Sequence, residues 1–268
     1  MKIAIVGCGN MGMAFANAFL KYDLVKTSDF LLIEKSPERM EALRESFRSG
    51  VMTGVVDPKL GEYDLVILSV KPQDFDQVGA SLKEVLTPGQ IVLSIMAGIA
   101  IDRIRQTLNH ARIVRAMPNT PAMLGMGITA YTATPEVDTS QLRKIENLIN
   151  ATGRSVYLEQ EEMLDAVTAL SGSGPAYFFY LVKAMIEAGT KMGFEESVSA
   201  LLVKQTMLGS YHLINTAEKS LDELINAVAS KGGTTEAALK KFGEKAIDSN
   251  LQEGIFAARD RSKELAKG

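Results

Sequence analysis

The amino-acid sequence predicts an α/β protein. A doubly wound parallel sheet occupies residues 1–158 and an all-helical segment occupies residues 159–268. Three observations carry this reading. Short apolar runs alternate with helical patterns throughout the first half. The first of these runs leads straight into a glycine-rich turn. Beyond about residue 158 the strand patterns stop and only helical patterns follow.

Strand-like runs fall at 2–6, 30–33, 65–70, 91–95 and 113–116, with helical patterns between them at 11–21, 37–48, 74–86 and 101–108. The runs are four to six residues long and almost wholly apolar, as expected when helices cover both faces of a sheet. Residues 127–132 and 154–158 read as two more strands, with a helix at 140–150 between them. The second half reads as helices at 161–170, 175–192, 195–216, 221–228, 234–248 and 251–266. Its breaks fall at Gly172-Ser173-Gly174-Pro175, Gly193, Ser220 and Gly232-Gly233. These helices hold many small residues. A helical domain of about 110 residues folds alone only modestly well, which points to dimerisation through it.

Composition excludes several function classes. The net charge of −3 gives no general attraction to nucleic acid or to an anionic membrane. The longest apolar runs are too short to span a bilayer, and the chain opens in a strand rather than a signal segment. A single cysteine, Cys8, excludes an internal disulfide and suits a reducing compartment, read here as the cytoplasm. His110 and His212 have no Cys or His at metal-ligand spacing, so no metal site is expected. Ser173 has glycines immediately beside it, not at the spacing of a nucleophile elbow.

The turn is Gly7-Cys8-Gly9-Asn10-Met11-Gly12, with a strand before it and a helix after it. Gly7 permits the tight turn, Gly9 lets a pyrophosphate approach the backbone, and Gly12 lets helix and strand pack closely. The helix N-terminus at Asn10 and Met11 offers its amides to the phosphates. This is the pattern of a Rossmann-type dinucleotide site. Glu34, at the end of the second strand, stands where an acid binds the adenosine ribose and favours NAD. Lys35 and Arg39 follow closely and would instead accommodate the 2′-phosphate of NADP, so NADH and NADPH both stay open.

Ligands of such a sheet bind beyond the carboxyl ends of the strands. That places Val70-Lys71-Pro72, Ala97-Gly98 and Asn119 beside the turn. Lys71 reads as a phosphate contact, a base or a plain strand terminator. Asn119 reads equally as a nicotinamide contact or a loop support. In the helical half, Ser230-Lys231-Gly232-Gly233-Thr234-Thr235 leads into a helix. Exposed amides at a helix start make a carboxylate site, although an ordinary threonine cap reads the same way.

Taken together, Met117-Pro118-Asn119-Thr120-Pro121, Ala169-Leu170-Ser171-Gly172-Ser173-Gly174-Pro175-Ala176-Tyr177 and Gly232-Gly233-Thr234-Thr235 resemble pyrroline-5-carboxylate reductase, with order and spacing matching along the whole chain. Val70-Lys71-Pro72-Gln73 and Ala97-Gly98 add to the resemblance. It implies reduction of 1-pyrroline-5-carboxylate to L-proline by NADH or NADPH. It also implies a helical dimerisation domain and a homodimer, or a larger assembly of dimers. The family's carboxylate-binding loop maps onto Ser230, Gly232, Gly233, Thr234 and Thr235, and its contact to the ring nitrogen maps onto Thr235. Lys231 departs from the family, which usually has proline there. Two other readings stand beside this one. A β-hydroxyacid dehydrogenase would use a helical-domain lysine, for which Lys183 is the candidate. A non-catalytic nicotinamide-binding regulator would not need the 230–235 loop.

Overall fold

The computed structural model describes residues 1–47 and 51–267. Two compact units make up the chain. One holds Met1–Ser173 together with the chain from Ala258 on, and the other is Gly174–Ala257.

The first unit is built on one eight-stranded sheet, with strand order β3-β2-β1-β4-β5-β6-β7-β8. The strands are β1 (Ile3–Val6), β2 (Phe30–Ile33), β3 (Val51–Thr53), β4 (Leu65–Leu68), β5 (Ile91–Ser94), β6 (Ile113–Met117), β7 (Gly127–Ala133) and β8 (Gly153–Tyr157). Helices α1 (Asn10–Lys21), α2 (Pro37–Ser46), α3 (Phe75–Lys83), α4 (Ile101–Leu108) and α5 (Thr139–Asn150) alternate with them. Alternate side chains of each central strand enter opposite cores. Ile3 and Ile5 pack with Phe15 and Phe19 on one face, while Ala4 and Val6 pack with Phe75 and Leu82 on the other. Each fully buried large side chain contributes roughly 1.5–3 kcal/mol. This explains why β1, β2, β4 and β5 are buried at every position.

The sheet departs from the parallel expectation at one edge. β7 runs antiparallel to β6, and β8 runs parallel to β7. The reason is length: the link from Met117 to Gly127 holds only a 3-10 turn, Thr120–Leu124, and a parallel crossover needs a dozen residues or more. β3 is absent from the sequence reading because three residues show no period. The run 65–70 stops at Leu68, the pattern 74–86 becomes a 3-10 turn (Pro72–Asp74) followed by α3, and Arg48 of the pattern 37–48 lies outside the described residues.

The helices that follow are α6 (Met163–Val167), α7 (Gly174–Lys191), α8 (Glu196–Thr216), α9 (Leu221–Val228), α10 (Thr234–Glu244) and α11 (Ile247–Lys267). α6 continues into a π-helical turn, Thr168–Gly172, so the predicted 161–170 helix is two pieces. The predicted 234–248 helix stops at Glu244, because Ala246 takes φ 49°, a left-handed conformation that ends a helix. α7 and α8 meet closely: a Cβ on Gly189 would lie 2.5 Å from Ser199 Oγ. Among the described residues no helix is long and apolar enough to cross a membrane.

Candidate active site

β1 and β4 are neighbours where the strand order reverses, and the glycine turn sits at the carboxyl end of β1. Its geometry leaves no room for other residues. Gly7 has φ 91°, and a Cβ there would meet Ser69 O at 2.7 Å. A Cβ on Gly12 would meet Gly7 O at 2.5 Å. Gly9 caps α1 without a side-chain hydrogen bond, so the first amides of α1 are left for a ligand. A cleft of about 370 Å³ opens beside the turn, and Gly7, Gly9, Glu34, Lys35, Val70 and Lys71 line it. Such a cradle fits the pyrophosphate and adenosine of a dinucleotide. Asn10, Met11 and Gly12 belong to the start of α1. Pro72 opens the 3-10 turn after β4, and Ala97 and Gly98 follow β5.

The charges in this cleft are arranged in a way the sequence did not show. Glu34 is only 7% exposed. Its Oε2 accepts the Cys8 N–H at 3.1 Å, and its Oε1 accepts the Ser36 N–H at 3.0 Å. Lys35, by contrast, reaches out to Asp74 at 2.9 Å on the surface. The Arg39 guanidinium lies over the turn, 3.6 Å from where a Gly9 Cβ would be, and among the described residues no carboxylate pairs with it. Arg39 is therefore better placed than Lys35 for a 2′-phosphate. Cys8 is buried within the turn. Burial, and then the Glu34 carboxylate, push its thiol pKa up to about 12, so it is not a nucleophile.

Asn119 is buried at the end of the β6 loop. Its Oδ1 accepts the Ile128 N–H at 3.0 Å and its Nδ2 donates to Ser171 Oγ at 3.3 Å. The amide thus ties the segment after β6 to the start of β7 and to the turn that follows α6, which favours its supporting reading. Ser171 lies in the π-helical turn, a feature often found at functional sites.

The loop at 230–235 is formed as a helix entry. Gly232 has φ 74°, the Gly233 N–H donates to Ser230 O at 2.9 Å, and Gly233 caps α10 with no side-chain hydrogen bond. Thr234 and Thr235 are the first two residues of the helix, so their backbone amides lie at its positive end. One occupant was missed in the sequence: Glu236 folds back and accepts the Gly232 N–H at 2.6 Å. Lys183, which a hydroxyacid dehydrogenase would need, is exposed on α7 and pairs with Glu187 at 3.6 Å.

A second unsuspected group is Arg115, a buried cation in the apolar run of β6. It donates to Glu161 Oε1 at 2.7 Å, and its other terminal nitrogen lies 4.0 Å from Asp165 Oδ1. An arginine between Val114 and Ala116 was the available sequence signal.

Fold and glycine turn define the class: a Rossmann-type oxidoreductase that uses NAD(P)H. Residues 2–98 match the family model described as NADP oxidoreductase, coenzyme F420-dependent, and residues 161–265 match pyrroline-5-carboxylate reductase dimerisation. The chain belongs to the pyrroline-5-carboxylate reductase family. A pyrroline-5-carboxylate reductase of Pseudomonas aeruginosa is 36% identical over 267 residues, covering 99% of this chain and 97% of the relative. The solved structure of a pyrroline-5-carboxylate reductase from Coxiella burnetii is 31% identical with a TM-score of 0.88, covering 100% of this chain and 99% of that one. The fold also matches a Plasmodium falciparum pyrroline carboxylate reductase solved with NADP bound. Its TM-score is 0.89 at 24% identity, with coverage of 99% and 98%.

Proposed function

We propose that this protein is a pyrroline-5-carboxylate reductase, reducing 1-pyrroline-5-carboxylate to L-proline with NADH or NADPH as the last step of proline synthesis. The observation that carries the reading is the entry to α10. Gly233 caps the helix without a side-chain hydrogen bond, and Ser230, Thr234 and Thr235 are the hydroxyl residues that flank its first amides. This arrangement offers hydrogen-bond donors to a carboxylate and a hydroxyl to a ring nitrogen.

The chemistry asks little of the protein beyond placement. A cyclic imine protonates readily in water, and the iminium carbon then accepts a hydride while the C=N π pair becomes the amine lone pair. Bound NAD(P)H supplies that hydride. Gly233, Thr234 and their neighbours fix the carboxylate, and Thr235 orients the nitrogen. The gain is one of proximity and orientation. This accounts for a reductase whose candidate site holds neither histidine nor a reactive thiol.

The cofactor residues of this reading are Gly7, Gly9, Asn10, Met11, Gly12, Glu34, Val70, Lys71, Pro72, Ala97 and Gly98, with Arg39 added and Lys35 and Asn119 in supporting places. The active form is a homodimer joined through the helical half, or a larger assembly of dimers. Large apolar side chains such as Phe178, Leu201 and Tyr211 are exposed there, as a surface awaiting a second copy would be. The single buried thiol fits residence in the cytoplasm. The test is direct: purified protein is given NADPH or NADH with pyrroline-5-carboxylate, beside a panel of hydroxyacids with NAD(P)⁺. Oxidation of NAD(P)H by the imine is expected. Turnover of hydroxyacids with none on the imine would overturn the assignment.

A further inference from the structure

Between β5 and α4 runs the short loop that carries Ala97 and Gly98, anchored in the core by the side chains of Met96 and Ile99. Ala100 caps α4 with no side-chain hydrogen bond, and Gly98 sits at φ 71°. Both ends of the loop are also fixed by distant groups. The Ile101 N–H, the first amide of α4, donates to Glu161 Oε1 at 2.7 Å. That same oxygen accepts from Arg115 at 2.7 Å. Arg115 is 4% exposed and lies in register with Ser94, the last residue of β5 before the loop. On the far side, Asp165 accepts a buried hydrogen bond from Ser262 Oγ at 2.8 Å, near the end of α11. One turn further on, Leu265 covers the loop so closely that a Cβ on Gly98 would lie 3.2 Å from Leu265 Cβ.

A buried ion pair is a weak source of stability, since apolar replacements often serve as well or better. What such a network does supply is fixed geometry when every polar atom in it has a partner. Here one carboxylate, Glu161, joins the guanidinium under β6 to the first amide of α4. A second, Asp165, links the same guanidinium to the C-terminal helix that covers Gly98.

We infer that Arg115, Glu161 and the last turns of α11 are positioning elements that hold the loop bearing Ala97 and Gly98 against the bound cofactor. The inference rests on the reading of that loop as a cofactor contact in a pyrroline-5-carboxylate reductase.

Four variants test it: Glu161→Ala, Glu161→Gln, Ser262→Ala, and a chain ending at Arg261. Amide hydrogen exchange of residues 97–101 should speed up by about tenfold in the first and the last, as expected for a lost charge-assisted hydrogen bond, while β1 and β4 keep their protection. The kcat for imine reduction should fall by about tenfold with KM for the imine within about twofold, the pattern of lost positioning rather than lost substrate binding. Glu161→Gln, which keeps an oxygen for the Ile101 N–H, should recover much of both. Ser262→Ala should shift both in the same direction by less. Unchanged exchange and kcat in Glu161→Ala and in the shortened chain would overturn the inference. So would an even loss of protection across the sheet, which would make the network a brace of the fold only. Exchange is read without substrate, so it decides this point even if the wild-type protein leaves the imine untouched, an outcome that would instead sink the proposed reaction.

Discussion

Glu34 accepts the backbone N–H of Cys8, so the acid that closes β2 is tied into the glycine turn that follows β1. Its carboxylate shapes the turn as well as charging the cleft. Substitutions there separate the two effects. Glu34→Gln keeps an acceptor and loses the charge, and should raise the ratio of catalytic efficiencies, NADPH over NADH, by about fivefold, the worth of about 1 kcal/mol between close charges facing water. Glu34→Ser should raise the ratio too, but with weaker binding of both cofactors, because the Cys8 and Ser36 amides lose their partner. An unchanged ratio in both variants would show that Glu34 serves the turn alone.

Arg39 and Lys35 should differ sharply. Arg39 lies over the turn, whereas Lys35 is spent on Asp74. Arg39→Ala should weaken NADPH binding by about tenfold or more with little change for NADH, since a hydrogen bond to a charged group is worth roughly 1.5–3 kcal/mol. Lys35→Ala should change either by no more than about threefold, as for an exposed ion pair. Titration of nucleotide fluorescence reads both. The reverse order of effects would return the phosphate contact to Lys35.

Thr235→Val keeps the shape of the side chain and removes its hydroxyl. If that hydroxyl orients the imine nitrogen, kcat should drop by about tenfold or more, while NAD(P)H affinity stays the same. Steady-state kinetics with a separate cofactor titration check this. Full turnover would leave Thr235 as part of the helix entry and nothing more.

Glu236 holds the Gly232 amide, so if the 230–235 loop takes the substrate carboxylate, its charge would repel that group. Glu236→Gln should therefore lower KM for the imine by about threefold, the effect of a modest exposed charge interaction. A raised KM would mean that Glu236 shapes the loop for its ligand instead of competing with it.

His110 bears on stability. It is 6% exposed, and its Nε2 lies 2.9 Å from Gln90 O. Burial lowers its pKa below 6.5, and the nearby Arg112 charge acts in the same direction. A depressed pKa means that the unfolded chain binds the proton more readily. The contribution is complete above pH 6.5 and is lost as pH falls below it through the folded value. His110→Gln should flatten the decline of Tm on the acid side of pH 6.5. An equally steep decline in the variant would assign the acid sensitivity to other groups.

What the sequence revealed and what it hid divide along physical lines. β1, β2, β4 and β5 were legible because sheet strands buried on both faces must be short and apolar. The glycine turn was legible because Gly7 and Gly12 occupy places where no Cβ fits. Hidden features depended on distance along the chain or on count. β3 is three residues long, too few for a pattern. The Arg115–Glu161 and Asp165–Ser262 pairs join residues far apart in sequence, so no local spacing announces them. The left-handed Ala246 has no glycine to mark it, so the break between two helices was read a few residues too late. Asn119 was recognisable as important, but its hydrogen bonds to Ile128 and Ser171 could not be read from local spacing.

Cys8 has a practical consequence. It is the chain's only thiol, it is buried in the turn, and its pKa is pushed up to about 12. Burial keeps this thiol protonated at neutral pH, and the thiolate is the form that maleimides and other alkylating dyes need. A cysteine introduced at an exposed position, Lys204 on α8 for instance, would be the sole addressable handle on an otherwise native chain. Fluorophores placed there would report whether copies of the chain associate, with no need to engineer the native residue away.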